Sequence, residues 1–187
     1  MNLYEVQTER LLLRPFNLKD VDSVFAYASD LEWGKYLPVP QPYLEKDASD
    51  FVNKATQTDW NKNSVWALVP RFGDREGEVS GAINLEINND QKKGELGYAI
   101  ARSLWGRGLI PEGCSAILSY AFGNLQLLQV EAFANVTNER SWHVMESLGM
   151  ERVSLRRRSR PRESDYVLEV GYSITSEQWE ATKKNVL

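Results

Sequence analysis

Trp105-Gly106-Arg107-Gly108-Leu109 follows a strand-like segment, residues 94–101, and opens a helix-like one, residues 109–122. Two glycines let the backbone turn tightly and bring its N–H groups close to a ligand. The helix N-terminus then points unpaired N–H donors, and the positive end of its dipole, at the same spot. The combination is an anion cradle suited to a phosphate or pyrophosphate. Gly-x-Gly also serves as an ordinary strand-to-helix turn, so the surrounding chain has to decide between the two.

Downstream, Ile110, Cys114, Ile117, Leu118, Ala121 and Phe122 give the helix a wide apolar face, with Pro111 tolerated in its first turn. Residues 127–134 read as a buried strand, and residues 138–148 as a helix ended by Gly149 at the position after its cap. Two closing strands are expected at 152–158 and 166–174. Upstream, residues 10–16 read as a first strand ending at Pro15, and Asn17 or Asp20 starts a helix. Residues 47–60 form a second helix. Strands follow at 65–70, 79–87 and 94–101, separated by Gly- and Asn-rich turns.

The order is β-α-α-β-β-β-α-β-α-β-β. Three strands joined by short turns imply antiparallel pairing. The two strand-helix-strand passages imply parallel or split neighbours. A mixed α/β sheet results, rather than a doubly wound parallel one. That argues against a Rossmann dehydrogenase, as does the motif, in which Gly108 is followed two residues later by Ile110 and Pro111 with no third glycine. A Walker lysine motif is missing too, which argues against a nucleotide-dependent transferase.

The length of 187 residues suits one domain, residues 1–187, with a sizeable core. The N-terminus reads as no signal peptide and no apolar run reaches membrane-spanning length. One cysteine, Cys114, suits a reducing cytosol, so a cytoplasmic location is expected, and it reads as core packing. A single histidine, His143, reads as a surface residue; one histidine and one cysteine make no zinc site, and no metal is expected. The net charge of −4 gives no case for nucleic-acid binding.

Two local features stand out. Arg156, Arg157, Arg158, Arg160 and Arg162 crowd one segment, which is either a solvated hairpin or an anion contact. Residues 31–43 carry Gly34, Pro38, Pro40 and Pro42 among Trp33, Tyr36, Leu37 and Tyr43. That composition forbids a regular helix or a central strand. Its aromatic residues either pack on the core or line a pocket.

The strand GELGYAI, the loop WGRG, the helix start LIPEG and the later NVTNERSWHVMESLGM resemble, in order and spacing, the GNAT acyl-CoA N-acyltransferases. The opening TERLLLRPFNLKDVDSVFAYASD and the stretch KYLPVPQP are similar to the branch that acetylates ribosomal-protein N-termini, with its small-molecule relatives. The resemblance covers residues 8–179.

It implies that acetyl-CoA is the co-substrate and that the loop 103–108 holds its pyrophosphate. Ser103 stands where the family has Gln or Arg, with Arg102 beside it. Cofactor contacts are implied at Tyr98, Ile100, Arg102, Trp105, Gly106, Arg107, Gly108, Leu109, Asn138 and Ser141. The family's Asn-x-x-Ser falls on Asn138 and Ser141, whose spacing puts both on one helix face. Asn138 also suits a plain N-cap.

Acetyl transfer to an amine poses three problems. The amine is protonated near neutral pH, with reference values of roughly 8 for an α-amino group and about 10.4 for lysine, so a base is needed. By position in the family's strand that base is Glu95, expected to be partly desolvated; Glu86 is the rival. Both also read as plain solvent-side carboxylates. Charge on the carbonyl oxygen needs aimed donors, expected from a β-strand N–H at 97–101 if that strand splays from its neighbour. The leaving thiolate needs a proton, for which Ser141 is implied. Trp33, Tyr36, Leu37 and Glu86 are the expected acceptor wall. The resulting expectation is direct acetyl transfer, in a ternary complex, to a protein N-terminus or a small amine. A homodimer stays open. The competing reading is a binding or sensor module that keeps the cradle without catalysis.

Overall fold

The computed structural model describes residues 4–159 and 166–184. Eight strands form a single sheet: β1 (Val6–Gln7), β2 (Leu11–Pro15), β3 (Asn63–Pro70), β4 (Gly81–Asn88), β5 (Lys93–Ile100), β6 (Gln129–Asn135), β7 (Glu151–Ser159) and β8 (Tyr166–Thr175). The helices are α1 (Val21–Ala28), α2 (Leu31–Gly34), α3 (Glu45–Thr56), α4 (Leu109–Gly123), α5 (Glu139–Ser147) and α6 (Ser176–Lys184). The spatial order is β1-β2-β3-β4-β5-β6-β8-β7.

Strands β3, β4 and β5 pair antiparallel, as short connections dictate, and β2 pairs antiparallel with β3 after the longer passage through α1, α2 and α3. The crossover through α4 makes β6 parallel to β5. The second crossover, through α5, also leaves β7 parallel to β6 but not beside it: β8 inserts between them and pairs antiparallel with both. The mixed sheet read from the sequence is therefore the sheet observed.

Burial follows the pleat. β3 is covered on both faces and is buried almost throughout, including the wholly buried Trp66 and Leu68. One face of the sheet meets α4 and α5 through Ile83, Leu85, Cys114, Ile117, Leu118 and Met145. The opposite face meets α1 and α3 through Val24, Ala48, Val52, Val65 and Ala67. Cys114 is wholly buried, and burial pushes its thiol pKa up, which suits packing and not nucleophilic chemistry.

Several boundaries differ from the sequence reading. The proline-rich stretch contains one helical turn, α2, capped by Asp30, whose carboxylate accepts from the Glu32 N–H. The second helix stops at Thr56, and Trp60 instead stacks on Tyr4 and meets the edge of Trp66. The short β1 and the C-terminal α6 were not expected. Trp179 of α6 is buried against the core.

The sheet splits at its centre. β5 and β6 pair only at Lys93↔Gln129, Gly94↔Val130 and Glu95↔Glu131. Beyond Glu95 both strands continue but diverge, so residues 96–100 of β5 keep β4 as a partner on one edge and face a gap on the other.

Candidate active site

The gap opens into a cavity of about 750 Å³, a size typical of small-molecule sites. Its walls come from four elements: the glycine loop with the start of α4, the end of β5, the start of α5, and the loop around α2.

The loop owes its shape to its glycines. Gly106 and Gly108 have φ of 73° and 72°, a region that side chains with a Cβ rarely adopt. Gly108 is the N-cap residue of α4 and supplies no side-chain cap, so the first N–H groups of that helix stay available. The Trp105 indole donates to the Ile100 carbonyl at 3.0 Å and ties the loop to the end of β5. This open cradle fits an anionic phosphate group.

Across the cavity, Tyr98 of β5 meets α5. Its hydroxyl donates to the Ser141 carbonyl at 2.8 Å and lies 3.1 Å from the Ser141 hydroxyl. Burial raises the Tyr98 pKa, so the hydroxyl keeps its proton and remains a donor. Asn138 occupies the N-cap position of α5 but makes no side-chain cap bond, leaving its amide for the cavity it lines.

Of the residues expected to touch the cofactor, Tyr98, Ile100, Trp105, Gly106, Gly108, Leu109, Asn138 and Ser141 line this one cavity. Arg102 and Arg107 do not. The Arg102 guanidinium is taken by Asp30 at 2.6 Å. Burial works against ionisation of Asp30, but the bonds from Arg102 and the Glu32 N–H outweigh it and hold its pKa low. The Arg107 side chain is exposed, and its backbone carbonyl accepts from Arg10 at 2.9 Å.

Trp33, Tyr36 and Leu37 add an aromatic and apolar wall to the same cavity. Trp33 also packs edge-on against Tyr27 and Tyr43, so this loop is at once core and pocket wall. His143, read from the sequence as a surface residue, is exposed but also borders the cavity. Arg140 escaped the sequence reading. Its guanidinium sits 4.5 Å from the Trp105 ring centroid and links α5 to the glycine loop. Nothing in local sequence distinguishes that arginine from an ordinary exposed one.

Glu95 and Glu86 face each other across β5 and β4, on the sheet face opposite Tyr98. Neither is among the cavity-lining residues, and Glu86 is exposed. The Glu95 side chain is 45% exposed, more open than the partly desolvated setting expected of it. Arg156 reaches it from β7, with its guanidinium 3.3 Å from the Phe133 ring centroid and its Nε on Glu169 at 2.8 Å. Arg158 also contacts Glu169, at 3.4 Å. These two arginines therefore sit among carboxylates rather than presenting bare positive charge. Arg160 and Arg162 lie outside the described residues.

A sheet split beside a glycine-loop anion cradle, with a hydroxyl pair at the split, forms a site that can hold a phosphate-bearing ligand against open strand N–H groups. Comparison with known proteins agrees. A family model for the acetyltransferase (GNAT) domain matches residues 10–151. An uncharacterised N-acetyltransferase of Bacillus subtilis strain 168, YnaD, is 30% identical over 93% of this chain and 98% of its own. The ribosomal N-acetyltransferase-like YdaF of the same organism is 35% identical over 58% of this chain and 60% of its own. The crystal structure of a GNAT-family acetyltransferase from Bacillus anthracis superimposes with a TM-score of 0.80 at 28% identity, covering 92% of this chain and 99% of that one. The chain belongs to the GNAT family and is an acyltransferase of the N-acetyltransferase type. Among the described residues, no helix is long and apolar enough to cross a membrane, and no group of acids, His and Cys is placed to hold a metal ion.

Proposed function

We propose that this chain, working as one domain, moves the acetyl group of acetyl-CoA directly to a primary amine in a ternary complex. One observation carries the reading: a single cavity is lined by the Gly106–Gly108 cradle, by the end of β5 at its split from β6, and by the aromatic wall at Trp33, Tyr36 and Leu37. A thioester held by its pyrophosphate at one end and an amine entering from the other meet at the split. The acetyl thioester supplies an activated carbonyl carbon.

The chain's own groups supply the rest. Backbone N–H groups of residues 96–100 that face the gap stabilise charge on the carbonyl oxygen. Asn138 orients the cofactor arm. Ser141, backed by the Tyr98 hydroxyl, gives the departing sulfur a proton. Glu95 accepts the amine proton, through water across the split. The Asn138–Ser141 side thus serves the leaving group and the Glu95 side serves the nucleophile. The acceptor is a protein N-terminus or a small amine.

The test is acetyl-CoA turnover against a panel of amines and N-terminal peptides, read as free thiol. Thermal shift with acetyl-CoA, ATP and NAD checks the ligand independently, since only a native-state ligand raises the midpoint. A second reading, an acyl-CoA-binding module without catalysis, rests on Arg156 holding both oxygens of Glu95. A midpoint raised by acetyl-CoA without thiol release from any acceptor selects it.

A further inference from the structure

The strand entry at residues 8–11 does more than begin the sheet. Arg10 reaches two parts of the cofactor loop at once. Its Nε donates to Glu112 Oε2 at 2.6 Å, and its Nη1 donates to the Arg107 carbonyl at 2.9 Å. Glu112 lies in the first turn of α4. Its other oxygen accepts from the Thr8 hydroxyl at 2.5 Å and the Arg10 N–H at 2.8 Å. Burial opposes ionisation of Glu112, but these bonds outweigh it and hold its pKa below the ordinary value.

Two consequences follow from elementary geometry and charge. The Arg107 carbonyl and the Gly108 N–H belong to one planar trans peptide, so they point in opposite directions. Holding the carbonyl toward Arg10 turns the Gly108 N–H away from it. Gly108 borders the cavity, and Arg10 does not. Gly108 itself is free to flip: its φ is 72°, it has no side chain, and a Cβ there would meet only Arg10 Nη2, at 3.5 Å. Without a tether the peptide has other orientations open to it. The second consequence is electrostatic. A lone carboxylate at Glu112 would repel an anion at the same helix end. Arg10 offsets that charge from outside the cavity.

We infer that Arg10, buttressed by Glu112 and Thr8, is a positioning residue that aims the Gly108 N–H at the pyrophosphate and neutralises the acid beside it. The inference rests on the acetyl-CoA reading above. It is specific to the phosphate end of the cofactor, which makes it separable from a merely structural role.

The experiment compares acetyl-CoA with S-acetylpantetheine, a thioester without the pyrophosphate, in wild type, Arg10→Ala, Arg10→Lys and Arg10→Ala/Glu112→Gln. Arg10→Ala is expected to raise KM for acetyl-CoA roughly tenfold, on the scale of one lost charge-assisted contact. Turnover of S-acetylpantetheine and KM for the acceptor stay at wild-type values. Arg10→Lys keeps the charge but not the two-point grip and falls between. The double variant recovers part of the loss, because the uncompensated acid is gone. If Arg10→Ala slows both thioesters equally, or changes neither, the positioning role is wrong. Equal use of the two thioesters by the wild type would instead sink the pyrophosphate reading, and this inference with it.

Discussion

Arg156 grips Glu95 with both terminal nitrogens, Nη1 to Oε2 at 3.2 Å and Nη2 to Oε1 at 3.1 Å. The two residues are sixty-one positions apart in the chain. The contact bridges the outermost strand, β7, and the central strand β5, two places past β8. It places a cation beside the carboxylate proposed as the base. Glu95→Gln is expected to lower kcat by about 100-fold or more, the scale of general-base removal, with KM for acetyl-CoA unchanged. Glu86→Gln, altering an exposed acid with no part in that grip, changes kcat less than about twofold. Steady-state thiol release measures both. Full activity in Glu95→Gln removes Glu95 from the role.

The same arginine also serves stability. Glu169 is only 8% exposed, and Arg156 and Arg158 are its ion-pair partners among the described residues. Replacing both arginines with Leu leaves a buried acid without an ion-pair partner among the described residues. The expected loss is about 2 kcal/mol of unfolding free energy, read from urea titration. Adding Glu169→Gln to that variant restores part of it. A double-Leu variant as stable as wild type would show that Glu169 needs neither partner.

If the arginine-rich segment also contacts an anionic acceptor, its effect must be screened by salt. Arg156→Ala/Arg158→Ala then raises the acceptor KM and flattens its dependence on ionic strength. An unchanged salt profile retires the acceptor role and leaves the structural one.

Tyr98 and Ser141 act as a pair, so their effects should not add. Tyr98→Phe and Ser141→Ala are each expected to lower kcat roughly tenfold, and the double variant little further. Additive losses in a double-mutant cycle would mean independent roles.

The loop glycines carry a conformational requirement. At φ near +72°, alanine costs about 1–2 kcal/mol or forces the turn to relax. Gly108→Ala should therefore raise KM for acetyl-CoA and lower the unfolding midpoint by several degrees. Calorimetry and initial rates report the two separately.

The depressed pKa of Glu112 sets a pH signature. A group held below its ordinary value of 4.5 contributes its stability in full above that pH and loses it as pH falls through the folded-state value. The midpoint gap between wild type and Glu112→Gln should be widest near neutrality and close progressively below about pH 4.5. A gap that is constant with pH would contradict the cause assigned here.

Most of the fold was legible because its signals are local. Short apolar runs bounded by Pro, Gly and Asn turns mark the strands, and the three-and-four spacing of Ile110, Cys114, Ile117 and Leu118 marks α4. Gly149 ended α5 where expected, with its N–H bonded to Glu146 and φ of 77°. What local signals misplace has a long-range cause at Trp60: its spacing reads as helix, but the distant Tyr4 and the nearby Trp66 take its ring. The helix after Thr175 carries a weak pattern around one buried tryptophan and passed unread.

By itself, then, the sequence determined the longer elements and their order, the glycine turn and the residue types around it, since Gly, Pro and apolar spacing act within a few positions. Only the tertiary structure decided where β5 and β6 part, that β8 lies between β6 and β7, and which side chains meet across the gaps. Tyr98 finds Ser141 forty-three residues on, and Arg10 finds Arg107 ninety-seven residues on. Such meetings depend on register, twist and side-chain reach, which packing of the whole sheet sets and no short window encodes.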